Sequence, residues 1–484
     1  VSEFAHQSRS LAFLADKAEC FDMSEPGTGK TYVHLKSFAR RHAASRKSGL
    51  VLATKSLLEA AWAEDARKFT PEIRVSVAWA KNRQEAFERD ADLYVTNHDA
   101  VKDLLDQGSA FFKRFGHLII DESTAYKHYT SQRSRAAAKI RRYFETCDLL
   151  SGTPTPNGVL DMWHQAYILD HGKRLGPLYN QFRQAVCEPK EIVIRGRQEQ
   201  SDTSWYDDFI AEYSGTVAPS GLSGWSPGAQ KTIIKWEAKD GANEAVAARM
   251  ADVSLRHLLE DCVDMPQKIV RVVPFALRPK HRAIYDAMAR DLVANVNEHT
   301  VLAVNRGVLR TKLLQIASGS VYGEDTPQLI ASDRYDLVLD LVEEAPNSIV
   351  VFLWKHQRDE LIAQAKARNL SYAVIDGDVS DTRRQEIVRA YQDGFFRVLF
   401  GHPKSMAHGL TLTRGVRTIW ASPTVDLEWW EQANRRIYRI GQTQRTETIV
   451  VCAEGTQDEI EFRRCNDKDL DAKSLYSEIN RYHQ

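Results

Sequence analysis

Three groups of residues in this 484-residue chain are of the types that handle phosphate. The first is Ser24-Glu25-Pro26-Gly27-Thr28-Gly29-Lys30-Thr31. Gly27 and Gly29, around Thr28, let the backbone turn tightly enough to aim several N–H groups at one anion, and a following helix adds its positive end. Lys30 offers a point charge to the outer phosphates and Thr31 a hydroxyl to a magnesium ion. The pattern G-x-x-x-x-G-K-[ST] is met except at Ser24, where its first glycine belongs. An ordinary strand-to-helix turn is the alternative. The second group is Asp121-Glu122, which ends the run His117-Leu118-Ile119-Ile120. Adjacent carboxylates at a buried strand's end are costly unless something cationic faces them. Beside a bound nucleotide the first would hold magnesium and the second would orient and deprotonate the attacking water. A solvated acidic pair in a turn is the alternative. The third group lies in Gln432 to Gln442: on a helix, Gln432, Arg436 and Arg439 fall at i, i+4 and i+7, on one face. Two permanently charged planar donors suit charge developing on a γ-phosphate; a solvated arginine-rich helix is the alternative.

Such groups need rigid supports. Apolar runs at Cys20 to Met23, Leu50 to Thr54, Leu93 to Thr96, His117 to Ile120 and Leu149-Leu150 read as buried parallel strands. Each ends in polar residues: the glycine-rich stretch, Lys55-Ser56, Asn97-His98, Asp121-Glu122-Ser123-Thr124 and Ser151-Gly152-Thr153-Pro154. Ligands bind at that edge of open α/β sheets, so these tips are expected to line one cleft. Gln7 precedes the first strand by a helix length; its amide could read adenine by donating and accepting at once, or could simply be solvated. A second series of runs, Ile349 to Leu353, Tyr372 to Ile375, Val398 to Phe400, Thr418 to Ala421 and Thr448 to Val451, predicts a second parallel sheet with covering helices. It has no phosphate loop of its own and is expected to close over the nucleotide held by the first.

The middle is less regular. Met162 to Leu169, Glu244 to Glu260 and Lys280 to Val296 have helical periodicity, and Ile269 to Phe275 reads as a strand. Pro189 to Gln230 is rich in glycine, proline and polar residues and is expected to protrude as an insertion. Apolar residues make up 43% and charged residues 27%, which describes a globular protein with ample core, and the length suits two or three domains. Formal net charge is zero, so any basic surface must be local. The six cysteines are scattered without a C-x-x-C pair, against both zinc and a disulfide framework. No signal peptide, lipidation motif or long apolar run is evident, so a soluble, cytoplasmic protein without membrane contact is expected. The chain opens on Val1, and residues upstream of it are expected to be missing.

The order of these motifs resembles the Swi/Snf-type helicase-like ATPases of superfamily two, which are double-stranded DNA translocases. The resemblance rests on Gln7, Glu25 to Thr31, Lys55-Ser56-Leu57 with Trp62, Thr96-Asn97, Asp121-Glu122, Ser151-Gly152-Thr153-Pro154 and, most specifically, the Q-x-x-R-x-x-R-x-G-Q of Gln432 to Gln442. That family's phosphate loop usually lacks its first glycine, so Ser24 fits. Asp-Glu-Ser-Thr stands where the family usually has Asp-Glu-Ala-His, which leaves Thr124 as the positional substitute for the coupling residue, together with Ser151, Gly152 and Thr153. Arg435 stands where the family usually has an acid.

The resemblance implies an α/β chain of two RecA-like parallel-sheet lobes in tandem, with helical protrusions and a C-terminal helical brace. The expected boundaries are 1–275 for the first lobe with an insertion at about 165–265, 276–330 for a protrusion and linker, 331–455 for the second lobe and 456–484 for the brace. It implies ATP and magnesium at Gln7, Gly27 to Thr31, Asp121 and Gly409, with Glu122, Gln432, Arg436 and Arg439 as catalytic groups. Double-stranded DNA is expected as partner, contacted through its backbone by Lys55, Ser56, Thr96, Asn97, Lys355, Lys404 and Ser405. A compact, monomeric phage or bacterial motor is implied, acting in the host cytoplasm if phage-encoded, with a DNA-bound protein as a further partner. A strand-separating DNA or RNA helicase and a remodeller of DNA-bound protein are the rival readings.

Overall fold

The computed structural model describes residues 3–195, 230–291, 293–296, 299–302, 306–323, 327–406 and 410–482. The chain divides into two compact units, Val1–Pro189 with Trp236–Met265 and Lys468–Gln484, and Lys190–Lys235 with Pro266–Asp467.

The first unit is built on a seven-stranded sheet. Across it run Val75–Ala78, Leu93–Asn97, Ser48–Ala53, Phe115–Asp121, Thr146–Leu150, Glu19–Asp22 and Ser254–Leu255. Every pairing is parallel. Parallel strands need crossover helices on both faces, which is why the central strands read as continuous apolar runs. Leu35 and Phe38 from the helix Lys30–Ser45 and Trp62 pack with Val51, Val95, Ile119 and Leu150 of the strands. Two edge strands are additions to the sequence reading. Val75–Ala78 is only half apolar in its exposure, and Ser254–Leu255 is a two-residue piece within what reads as a helix from Glu244 to Glu260. The helix there ends at Met250, and the chain turns back to lie beside Phe21 and Asp22 before Leu259–Cys262.

The second unit carries a six-stranded sheet: Lys268–Phe275, Thr446–Ala453, Arg417–Trp420, Ser348–Val351, Val398–Gly401 and Tyr372–Ile375, again all parallel. Lys268–Phe275, which the sequence reading puts at the end of the first lobe, pairs along its whole length with Thr446–Ala453 instead. It is an edge strand with alternating exposure, so its own residues carry no sign of which sheet receives it. The helix expected over Lys280 to Val296 stops at Asp291, and Val293–Val296 pairs antiparallel with His299–Leu302. The β-branched valines there favour extended backbone. The last helix, Gln457–Arg481, is counted in the second unit up to Asp467 and in the first from Lys468. Most of the expected insertion, together with Gly409, lies outside the described residues. All six cysteines are free thiols, and among the described residues no helix is long and apolar enough to cross a membrane.

Candidate active site

In the first unit the parallel register places Asp22, Asp121 and Leu150 side by side, so the loops that follow them leave the sheet at one edge. The glycine-rich loop occupies the turn between Glu19–Asp22 and the helix Lys30–Ser45. Gly27 and Gly29 have φ of 94° and 84°, values that L side chains avoid. A Cβ on Gly29 would also lie 2.5 Å from the Gln7 amide nitrogen, so the close approach of Gln7 needs a glycine. Gln7 accepts from the Phe4 N–H at 3.1 Å, and neighbouring His6 contacts the Thr28 carbonyl at 2.7 Å. Lys30 Nζ donates to the carbonyls of Ser24 and Glu25 at 2.6 and 3.2 Å, folded back over the loop that it would leave to meet phosphate.

Ser24 at the first glycine's place has its own explanation. Its N–H donates to Asp22 at 2.9 Å and its hydroxyl accepts from the His257 N–H at 3.0 Å. The chain from Arg256 to Leu259 follows the outside of the loop. Arg256 Nη1 donates to the Met23 carbonyl at 2.7 Å, the Glu25 N–H to the His257 carbonyl at 3.0 Å, and the Leu259 N–H to the Glu25 carboxylate at 3.0 Å.

Asp121 is only 8% exposed. Its two carboxylate oxygens accept from the Trp62 indole N–H at 2.9 Å and from the Glu122 N–H at 3.0 Å. Burial raises its pKa, against the hydrogen bond from Trp62 and the charge of Lys30. Trp62 stands on the π-helical turn Leu58–Ala63, an uncommon geometry that often marks functional sites. Glu122 has φ of 52°, a left-handed conformation that costs a non-glycine residue about 1 kcal/mol or more. Beyond it, the Ser123 hydroxyl donates to Gln165 Oε1 at 2.7 Å, and Gln165 Nε2 donates to the Pro154 carbonyl at 2.7 Å. That bridge joins the acidic turn to Ser151-Gly152-Thr153-Pro154. Thr124 is buried beside it. A Cβ on Gly152 would lie 2.7 Å from Pro26, so this turn also packs against the phosphate loop. Gln165 was invisible as a site residue because its signal is a polar side chain inside an apolar helix.

Thr31 and Asp121 offer hard oxygen donors, the ligand type that suits magnesium. That ion keeps several waters and takes its remaining ligands from phosphates.

Beneath the loop lies a charged network absent from the sequence reading. His34, fully buried on the loop's own helix, contacts Asp148 at 3.0 Å and Asp22 at 3.1 Å, and Arg41 reaches Asp148 at 3.0 Å. Burial lowers the His34 pKa, but the hydrogen bonds to Asp148 and Asp22 outweigh it and hold the ring at about 9. Asp22, also opposed by burial, is brought down to about 2 by His34. The His34 contribution to stability is therefore present below its ordinary 6.5 and lost as pH rises through about 9. That of Asp22 is present above 3.8 and lost as pH falls through about 2. His34→Leu alone is expected to cost about 3–5 kcal/mol, since it takes the charged partner from buried Asp22 and leaves Asp148 with Arg41 alone, whereas His34→Leu with Asp22→Leu and Asp148→Leu recovers most of that loss. Denaturant unfolding from pH 6 to 10 checks both points: the triple variant should lack the alkaline decline of the parent. Equal declines would mean that His34 is not charged in the folded state.

In the second unit the helix Leu427–Asn434 ends before the two arginines, with Arg435 as its cap residue. The expected helical face is thus corrected: Arg436 and Arg439 lie in the turns beyond. They still converge. Arg436 Nη1 and Arg439 Nη1 donate to the Leu410 carbonyl at 3.3 and 2.8 Å, and Arg436 Nε to the Gln432 carbonyl at 2.6 Å. The last bond satisfies a helix-end carbonyl, which is what stops the helix usefully here. Gln442 stitches the turns together by donating to the carbonyls of Thr413, Gly415 and Ile437. Arg435 turns elsewhere, toward Glu431 at 3.4 Å and over Tyr438. Gln432 is buried and bonds Glu428.

The basic and polar strand tips divide between the units. Lys55 is exposed and Ser56 half-buried after Ser48–Ala53, whereas Asn97, which ends the adjacent strand, is a correction: it is buried and accepts from Arg83 at 3.2 Å. Thr96 is a correction: it is fully buried and its hydroxyl donates to the Ala78 carbonyl at 2.8 Å, so it braces the sheet instead of facing a ligand. In the second unit Lys355 and Lys404 are exposed and Ser405 half-buried, after the paired strands Ser348–Val351 and Val398–Gly401.

Residues 6–320 match the SNF2-related domain. The chain belongs to this family. The resemblance to Swi/Snf-type helicase-like ATPases, and with it the class of enzyme, is borne out. Among relatives of this SNF2-related chain is "Putative protein p41" of Acyrthosiphon pisum secondary endosymbiont phage 1, 28% identical over 472 residues and covered to 91% on both sides. An uncharacterized ATP-dependent helicase of Mycoplasma pneumoniae is 22% identical over 485 residues, which are 94% of this chain and 40% of that one. The chain thus spans nearly all of the phage relative and well under half of the mycoplasma protein. A solved Sulfolobus solfataricus SWI2/SNF2 ATPase core in complex with dsDNA aligns over 98% of this chain and 93% of that one, at 19% identity and a TM-score of 0.42.

Proposed function

We propose that the chain is an ATP-driven translocase on double-stranded DNA. The reading is carried by one observation: the glycine-rich and acidic loops share a sheet edge in the first unit, and in the second unit two arginines meet at one carbonyl. Groups of the kind that bind phosphate in the ground state, and arginines of the kind that meet charge in a transition state, are the set an ATP-driven motor needs. Lys30 and the N–H groups of the loop hold the phosphates, with Gln7 placed for the base. Thr31 and Asp121 hold magnesium, which when bound neutralises charge on the outer phosphates. Glu122 orients and deprotonates the attacking water, and Arg436 and Arg439 stabilise charge on the γ-phosphate in the transition state. Ser123, Gln165 and Pro154 couple the acidic turn to the rest of the cycle.

Duplex DNA is held through its phosphates by Lys55 and Ser56 of one unit and Lys355, Lys404 and Ser405 of the other. Contacts of this kind position a duplex and read no sequence. ATP turnover with duplex DNA, single-stranded DNA, RNA and no nucleic acid tests the proposal. Duplex DNA should stimulate most; equal rates in all four conditions would refute it, and preference for RNA or single strands would favour a strand-separating helicase.

A further inference from the structure

Five residues before the end of the helix Gln457–Arg481, Tyr476 is buried against two of the loops assigned to the nucleotide site. Its hydroxyl accepts from Thr155 twice, from the N–H at 3.4 Å and the hydroxyl at 3.2 Å. Thr155 directly follows the turn Ser151 to Pro154, whose Gly152 packs on Pro26 of the phosphate loop. On the ring face, the Arg256 guanidinium lies 4.0 Å from the Tyr476 centroid. The Arg256 side chain is 5% exposed, donates to the carbonyl of Met23 at 2.7 Å, and stands 4.0 Å from the Glu25 carboxylate. One side chain thus touches the support of the phosphate loop with its face and the neighbouring turn with its hydroxyl.

The surrounding contacts keep it there. Leu475 and Ile479 are buried with it, Lys468 Nζ donates to Asn157 Oδ1 at 3.1 Å, and Asn243 donates to the Asp471 carboxylate at 3.0 Å. These contacts bind the segment after Lys468 to the first unit at three separated points.

We propose that Tyr476 is a positioning residue for ATP: by stacking on Arg256 and bonding Thr155, it fixes the phosphate loop and the Ser151–Pro154 turn relative to each other. The proposal rests on reading that loop as the ATP site. A cation held over a ring face is restrained in orientation, so the Arg256 donor stays aimed at the Met23 carbonyl. Losing the ring frees Arg256, and the loop's N–H groups are no longer pre-aimed at phosphate. The effect falls on ground-state binding, because Tyr476 reaches none of the groups assigned to the chemical step.

The test is binding of fluorescent N-methylanthraniloyl-ADP with magnesium, without DNA, alongside steady-state turnover at saturating duplex DNA. Tyr476→Leu should weaken nucleotide binding and raise KM for ATP by ~10-fold, the scale of a misdirected charge-assisted hydrogen bond, with kcat within ~2-fold of the parent. Tyr476→Phe, which keeps the ring over Arg256, should recover most of the affinity. Arg256→Ala should weaken binding as much as Tyr476→Leu, and the double variant should be no worse than the weaker single one. Unchanged affinity in Tyr476→Leu would overturn the proposal, as would a fall in kcat and melting temperature with KM unmoved. If the parent protein itself failed to bind the nucleotide, the reading of the loop as an ATP site would fall first.

Discussion

Arg436→Ala is expected to lower ATP turnover by ~10³-fold or more while leaving nucleotide affinity largely intact, the usual scale for an arginine that acts on the transition state. The same change should abolish stimulation by DNA, because Arg439 alone leaves the pair of donors incomplete. Lys30→Ala should fail differently. Its charge is needed in the ground state, so tight nucleotide binding is lost outright. Arg435→Ala is the control: its side chain contacts Glu431 and Tyr438, whereas Arg436 and Arg439 meet at the Leu410 carbonyl. It should therefore be far milder. Arg436 also donates to the Gln432 and Leu410 carbonyls, so a melting curve must show that the variant is folded. If Arg435→Ala were as damaging as Arg436→Ala, the assignment of the second unit's donors would be wrong. Arg436→Ala that still hydrolysed ATP with DNA stimulation would remove this unit from the chemistry altogether.

Glu122→Gln is expected to cut hydrolysis by ~10² or more with ATP binding near normal, as loss of a positioned base does. The substitution suits the site. Glutamine keeps the length and volume of the side chain, and neither residue is favoured at the left-handed φ of 52°, so the backbone term nearly cancels. Asp121, whose carboxylate is fixed by Trp62 and the Glu122 N–H, should keep its place. ATP affinity that collapsed together with rate would make Glu122 structural, a holder of the strained turn and not a base.

Most of the strand framework was legible in the sequence because buried parallel strands are unbroken apolar runs, and the phosphate loop because glycine, lysine and threonine at fixed spacing have few other uses. The elements that escaped lack such signals. Lys268–Phe275 alternates in exposure as an edge strand does, which fixes its type and not its sheet. Ser254–Leu255 is too short to have a period. At the second unit's arginines the expected geometry was not met: helical spacing suggested one face, but the helix stops at Asn434 and the turns beyond bring Arg436 and Arg439 together. Thr96 shows the reverse error, a polar residue at a strand's end whose hydroxyl turns inward to Ala78. Asp22 and Asp148 were clues passed over. An acid inside an apolar strand needs a partner, and His34 supplies it for both.

The central claim is movement along duplex DNA without separating its strands. Displacement of a labelled third strand from a duplex measures this directly, since the duplex stays paired while a translocase pushes the third strand off. ATP and magnesium should drive displacement by the parent protein and not by Glu122→Gln, with no single strand released from a forked duplex under the same conditions. Efficient unwinding of the fork, with the third strand left in place, would contradict the account.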